Sequence, residues 1–479
     1  MGVGRGVTTT HPTVETAAPR ALVPSAPVRS RTRTRRRPVF GPGWPLTWLF
    51  VPFPLWWALG LSHFIFFPFA VAMAAELLRR RPVYTPKGFG LWLLFLAVVG
   101  SGVTLLWVQP PGTVASPRGP HELEPFFFHL AWYLSITIVA LYVLNLPERD
   151  LPTTRVMRLL ALMFVYTVGG GFAGLLLPHL SFPSLLELVL PIHRQGFIYA
   201  LVHPALVGSS EFLGISQPRP AAPFTYPNAW GNNLGMFLPF FVVSWLGRDA
   251  GWRRPAGIAV LVLAIVPIVY SLNRGLWIGL AVTGAAVAVK LVSIGRTRRL
   301  PLIAALLAVG AVVFVLSPLY STVVLRVNTP HSDQRRSTVA TQVVHKTLAL
   351  SPLLGYGETR AVQGSFDSIA GGETPSCHQC AAPPLGTQGF MWRLIFTTGA
   401  LGTLLFLAFT CTQLFTFAPM RDPVAIAGCS VILMSVIFSF VYDSLEAPLF
   451  TVMIAIGLLS RRFVRDSQLA PTSPPGALP

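Results

Sequence analysis

Long apolar runs separated by short polar connections dominate this chain. Each run approaches the roughly 20 residues that an α-helix needs to cross a bilayer. The runs cover 45–60, 62–78, 88–108, 126–146, 157–177, 229–246, 256–271, 275–292, 301–317, 391–417, 424–441 and 447–460. The pattern predicts an all-α integral-membrane fold of about 12 transmembrane helices. The first two runs are short and interrupted by Pro52, Pro54 and Pro68, which favours a tight hairpin. No internal repeat is evident.

The polar connections alternate in charge. Those at 29–37, 79–81, 149–158, 248–254, 290–299 and 461–465 are heavily basic, and the ones between them carry few cations. This positive-inside pattern places both termini in the cytoplasm and the remaining loops on the outer face of a cell membrane. Residues 1–43 form a basic tail without an apolar run, expected to be disordered, as is the proline-rich tail 466–479. Between them, 44–465 is the membrane domain, with a large extracytoplasmic loop, 318–388, between the ninth and tenth spans. A second outer segment, 179–228, contains stretches 185–190 and 197–202 suited to lying on the membrane surface. The third is the turn Ser271-Leu272-Asn273-Arg274-Gly275.

Composition sharpens the class. Of 479 residues, 53% are hydrophobic and 11% charged, against about 25% charged in a soluble domain. The surplus apolar surface is therefore expected to face lipid. The net charge of +19 is carried by arginines beside apolar runs, where anionic headgroups account for it better than nucleic acid does. No soluble basic domain remains for a nucleic-acid role.

Candidate chemistry gathers on the outer face. Arg274 stands between two apolar runs, where a cation costs roughly 2.5–3.5 kcal/mol on insertion scales and normally meets a wet cavity or an anion. A snorkelling interfacial arginine is the plainer reading. Arg219 lies in Gln217-Pro218-Arg219-Pro220, and Asn228 is expected to cap the following helix. Arg335 and Arg336 open a helix-like stretch, 338–350, that runs into Ser351-Pro352-Leu353-Leu354-Gly355-Tyr356-Gly357. Several guanidinium forks on one face suit a diphosphate, which they bind bidentately without a metal. Cys377 and Cys380 are a disulfide pair or half of a zinc site, and His378 between them is a general base or an exposed side chain. Glu358, Asp367 and Glu373 are further base candidates. Asp443 and Glu446, at the outer junction of the last two spans, are caps and counter-ions or members of a proton relay.

In order along the chain, these pieces resemble the O-antigen ligase and polymerase-like family of membrane glycosyltransferases. Arg219, Phe224, Pro227-Asn228 and then Leu238-Pro239 resemble that family's arginine and Pro-Asn block. The turn 271–275 resembles its Ser-Arg-Gly turn. Arg336 (or Arg335) with the run 351–357 resembles its large-loop motif, and Gly399-Ala400-Leu401-Gly402 its glycine pair. The resemblance covers residues 219–460. It implies transfer or polymerisation of a glycan from an undecaprenyl-diphosphate-linked donor to a glycan or lipid acceptor at the outer leaflet, without cofactor or metal. Arg219 and Arg274 would then hold the donor diphosphate and stabilise its charge as it leaves, Arg336 would assist from the loop, and Asn228, Arg335 and Gln388 would join Arg219 in binding substrate. One departure matters: Gln388 stands about where ligases of the family carry a histidine, and it cannot act as a base. His378 is then the substitute candidate, and the balance moves toward a polymerase-like or divergent enzyme. The competing classes are a transporter or flippase of lipid-linked solutes, and a structural partner in envelope synthesis. The transporter would favour midplane charges and related halves, and neither is visible.

Overall fold

A computed structural model describes residues 41–108, 123–190, 197–212, 215–247, 250–316, 347–358 and 389–469, with positions 1, 2, 4, 6, 320, 341, 344 and 345 besides. The expectations for the two terminal tails and for most of the loop 318–388 lie outside these residues.

The architecture is α-helical, and every apolar run contains a helix. In order these are α1 (Trp44–Phe50), α2 (Phe53–Ala58), α3 (Phe66–Leu78), α4 (Phe89–Ser101), α5 (Leu123–Asn145), α6 (Thr153–Leu176), α7 (Leu185–Val189) and α8 (Phe197–Val202). A two-stranded antiparallel hairpin, β1 (Val207–Phe212) and β2 (Ile215–Pro220), follows. Then come α9 (Pro227–Trp245), α10 (Arg253–Tyr270), α11 (Arg274–Ser293), α12 (Leu300–Leu316), α13 (Phe390–Phe417), α14 (Pro423–Ser439) and α15 (Ala447–Leu469). Among the described residues, six helices are long and apolar enough to cross a membrane: α5, α6, α10, α11, α13 and α15. Helices α3, α14 and the stretch Phe89–Leu105 are apolar but shorter. This is the build of an integral-membrane protein.

Packing pairs α6 with α9, α5 with α15, and α4 with α13. Between helices in lipid the hydrophobic drive is weak, so close approach of backbones matters more. Gly279 and Gly235 both lie against the ring of Phe438, and a Cβ on Gly279 would stand 2.2 Å from that ring. Trp92, Trp132 and Trp230 are fully buried, and the indoles of Trp92 and Trp230 find hydrogen-bond partners. Trp92 Nε1 donates to Thr137 Oγ1 (2.8 Å) and Trp230 Nε1 to the Thr167 carbonyl (2.9 Å).

One end of the bundle is basic. Arg461 donates to the carbonyls of Leu146 (3.0 Å) and Leu151 (2.8 Å) and to Thr153 Oγ1 (2.8 Å). Lys290 donates to the Ala418 carbonyl (2.8 Å), and Arg80 pairs with Asp150 (2.7 Å). Leu146 and Ala418 directly follow α5 and α13, so Arg461 and Lys290 meet helix C-termini, whose last carbonyls lack helical partners.

Candidate functional site

The opposite end of the bundle collects the residues able to do chemistry. Helix α10 closes at Tyr270, and α11 starts at Arg274. The turn between them is tight: Leu272 has φ +51°, a left-handed conformation that costs a non-glycine residue about 1–3 kcal/mol. Asn273 caps α11 by accepting from the Leu276 N–H (3.4 Å). Its amide also reaches the Pro227 carbonyl (3.5 Å), and Tyr442 donates its hydroxyl to Asn273 Oδ1. Arg274 thus projects from the first turn of a helix held by three segments.

Arg219 arrives from the hairpin. Its Nε donates to the Ser271 carbonyl (2.6 Å) and its Nη2 to Asn228 Oδ1 (3.4 Å). Pairing of Gly208 with Arg219 and Val207 with Pro220 sets its position along β2. Arg219, Asn228, Asn273, Arg274, Gly275 and Tyr442 line one small cleft. The structure therefore brings together three of the residues expected from sequence, Arg219, Asn228 and Arg274. Asn228 does not cap α9 as expected: Pro227 occupies the first helical turn and Tyr226 becomes the cap residue, with no side-chain hydrogen bond. A proline suits that position because its missing N–H would be unsatisfied anyway. The Asn228 amide is left to face Arg219.

A second cluster adjoins the cleft across the turn that follows α14. Glycines 355 and 357 have φ of +67° and +80°, and Gly399 breaks α13 with φ +62°. The break frees backbone groups that the 352–357 segment satisfies. Tyr356 N donates to the Phe396 carbonyl (2.8 Å) and Gly357 N to Thr397 (3.0 Å), while Ala400 N donates to Pro352 (2.8 Å). This docking delivers Glu358, whose side chain is 1% exposed, to Arg393 (2.9 Å). Arg393 also pairs with Asp443 (2.7 Å), and Tyr133 donates to Glu358 (3.2 Å). His129 stands 3.8 Å from the same Glu358 carboxylate. Beside Trp392 opens an apolar hollow of about 680 Å³, lined by Val344, His345 and Leu348.

The third group is a chain of hydrogen bonds. His63 Nδ1 lies 2.6 Å from Glu446, and its Nε2 lies 2.7 Å from Thr225 Oγ1. Burial and the Glu446 charge push the neighbouring Tyr226 phenol above its ordinary pKa. Asp443 and Glu446 are thus counter-ions, Asp443 to Arg393 and Glu446 to His63 when the imidazole is protonated. Asp443 Oδ1 also accepts from Leu445 N (3.3 Å).

Arg335, Arg336, Cys377, His378, Cys380 and Gln388 lie outside the described residues, as do Asp367 and Glu373. Arg393, Tyr442 and His63 belong to this end of the bundle although no motif points to them. Arg393 carries a signal all the same, as an arginine within a long apolar run. No protein-family model matches the chain, and no curated protein is significantly similar to it.

Proposed function

We propose that this chain is a multi-pass glycosyltransferase of the O-antigen ligase and polymerase-like type, acting on an undecaprenyl-diphosphate-linked glycan. The observation that carries the reading is the meeting of Arg219 and Arg274, 55 positions apart in the chain, in one cleft with Asn228. The cleft lies at the end of the bundle away from Arg461 and Lys290, which meet the carbonyls that follow α5 and α13. With the basic end in the cytoplasm, as the positive-inside rule asks, the cleft opens to the outer leaflet. In that frame about 12 helices cross the membrane, and both termini are cytoplasmic.

In this account the two guanidinium groups grip the donor's diphosphate through paired N–H donors. They hold their charge at any working pH, and they stabilise the negative charge that grows as the bond from the anomeric carbon to the diphosphate oxygen breaks. Arg335 and Arg336 are further candidates for that grip. A glycan or lipid hydroxyl attacks from the other side, and surrounding membrane lipids hold the isoprenoid tail.

The test is turnover in membranes from source cells lacking this protein, which supply donor and acceptor. Arg274→Ala is expected to slow consumption of lipid-linked glycan by about 100-fold or more, with protein levels unchanged. Arg274→Lys should rescue little, because an ammonium cannot form the fork. Wild-type rates in both variants would remove Arg274 from the reaction and overturn the proposal.

A further inference from the structure

The acceptor hydroxyl must lose a proton, and among the described residues the end of the bundle that holds the arginine cleft contains an arrangement able to receive it. We propose that His63, held by Glu446, takes up that proton through the hydroxyl of Thr225, an inference that rests on the glycosyl-transfer reading above. A carboxylate only accepts hydrogen bonds, so the 2.6 Å contact to Glu446 makes Nδ1 the donor. In the neutral ring Nε2 is then the acceptor, and the Thr225 hydroxyl donates to it across 2.7 Å. A hydroxyl, an imidazole and a carboxylate thus stand in series, the order used wherever a histidine withdraws a proton from an alcohol.

Position supports the role. Thr225 lies on the loop between Arg219 and Asn228, both of which line the cleft. It is three positions from Asn228 in the chain, which bounds their Cα–Cα separation at about 11 Å. Glu446 follows the cleft residue Tyr442 by a single turn of chain. The remaining ionisable groups nearby are otherwise engaged. Glu358 is held by Arg393 and Tyr133, and Asp443 by Arg393 and the Leu445 N–H. His129, on α5, faces Glu358, and Tyr226 beside Thr225 stays protonated. Gln388 has no base chemistry to offer, so a histidine from the α2–α3 turn fills a role the motif region leaves open.

The step balances. The acceptor oxygen bonds to the anomeric carbon as the carbon–oxygen bond to the diphosphate breaks, and its electron pair leaves with the diphosphate. The acceptor proton passes to Thr225 Oγ1 while the threonine's own proton moves to His63 Nε2. Threonine ends neutral, and the imidazolium pairs with Glu446 until it releases its proton to water.

His63 works through Thr225, so it is a positioning and relay residue, and its test needs a readout that a structural clamp would not move. That readout is the pH–rate profile of His63→Gln, Glu446→Gln, Thr225→Val and Thr225→Ser in the membrane assay described above. Glutamine keeps hydrogen bonds but cannot take the proton. His63→Gln should lower kcat by about 100-fold, leave the donor KM near wild type, and flatten the limb that rises with pH. Glu446→Gln should lower kcat in the same direction, because the carboxylate that pairs with the imidazolium is gone. Thr225→Val should match His63→Gln, and Thr225→Ser should restore most of the rate. An unchanged profile in His63→Gln, or a fall confined to protein amount, overturns the relay while leaving the arginine cleft intact. Failure of the wild-type protein to consume lipid-linked glycan overturns the functional reading and the relay together.

Discussion

Arg393 sits in the first turn of a long apolar helix, where an unpaired guanidinium would be costly. Glu358 and Asp443 make its place tolerable, and Tyr133 fills a remaining lone pair on Glu358. Removing one partner of such a buried pair leaves the other uncompensated, which costs about 3–5 kcal/mol. Arg393→Met should therefore lower the unfolding temperature in detergent sharply, and adding Glu358→Gln should recover part of the loss. Equal unfolding temperatures for wild type and Arg393→Met would show that the pair is not structural. Residues differ in how far sequence exposes them. Arg219 and Arg274 are legible because they are cations on the side where the charge rule asks for none. Arg393 hides inside the run 391–417, since its partners come from loops distant in sequence. His63 looks like a lone histidine among aromatics until Thr225 and Glu446 are folded against it.

At the scale of elements, the kink in α13 is the device that builds the second cluster. A Cβ at Gly399 would lie 2.4 Å from the Leu353 carbonyl, and one at Gly355 would lie 2.5 Å from the Phe396 carbonyl. Both glycines also hold left-handed φ angles that side chains rarely adopt. Gly399→Ala is expected to unseat the 352–357 segment and raise hydrogen exchange at Tyr356 and Gly357, whose N–H groups are held by α13. Exchange unchanged at those two amides would contradict the docking. Helices were legible here because apolar runs of bilayer length have few alternatives. The hairpin was not, because Pro218 and Pro220 argue against a strand. Among the described residues β2 pairs with β1 alone, so it keeps an open edge where missing N–H groups cost nothing in the ladder. That exception is what carries Arg219 to the turn before α11.

For the whole molecule, the two ends of the bundle are chemically distinct. Cations fastened to helix C-termini mark one end, and the arginine cleft with its neighbouring carboxylates marks the other. The proposed orientation predicts that a cysteine at Ser181 reacts with a membrane-impermeant maleimide added to intact cells, whereas one at Arg149 reacts only after lysis. The reverse labelling would turn the cleft toward the cytoplasm and remove its access to an outer-leaflet donor. The central claim is that the Arg219 and Arg274 cleft binds a lipid diphosphate. Its most direct test is the affinity of purified protein in nanodiscs for undecaprenyl diphosphate, compared among wild type, Arg219→Ala, Arg274→Ala and the double variant. The account predicts that each single change weakens binding by about 10-fold or more, as loss of a charge-assisted hydrogen bond of about 1.5–3 kcal/mol requires, and that the double variant binds weaker still. Wild-type affinity in the double variant would contradict it.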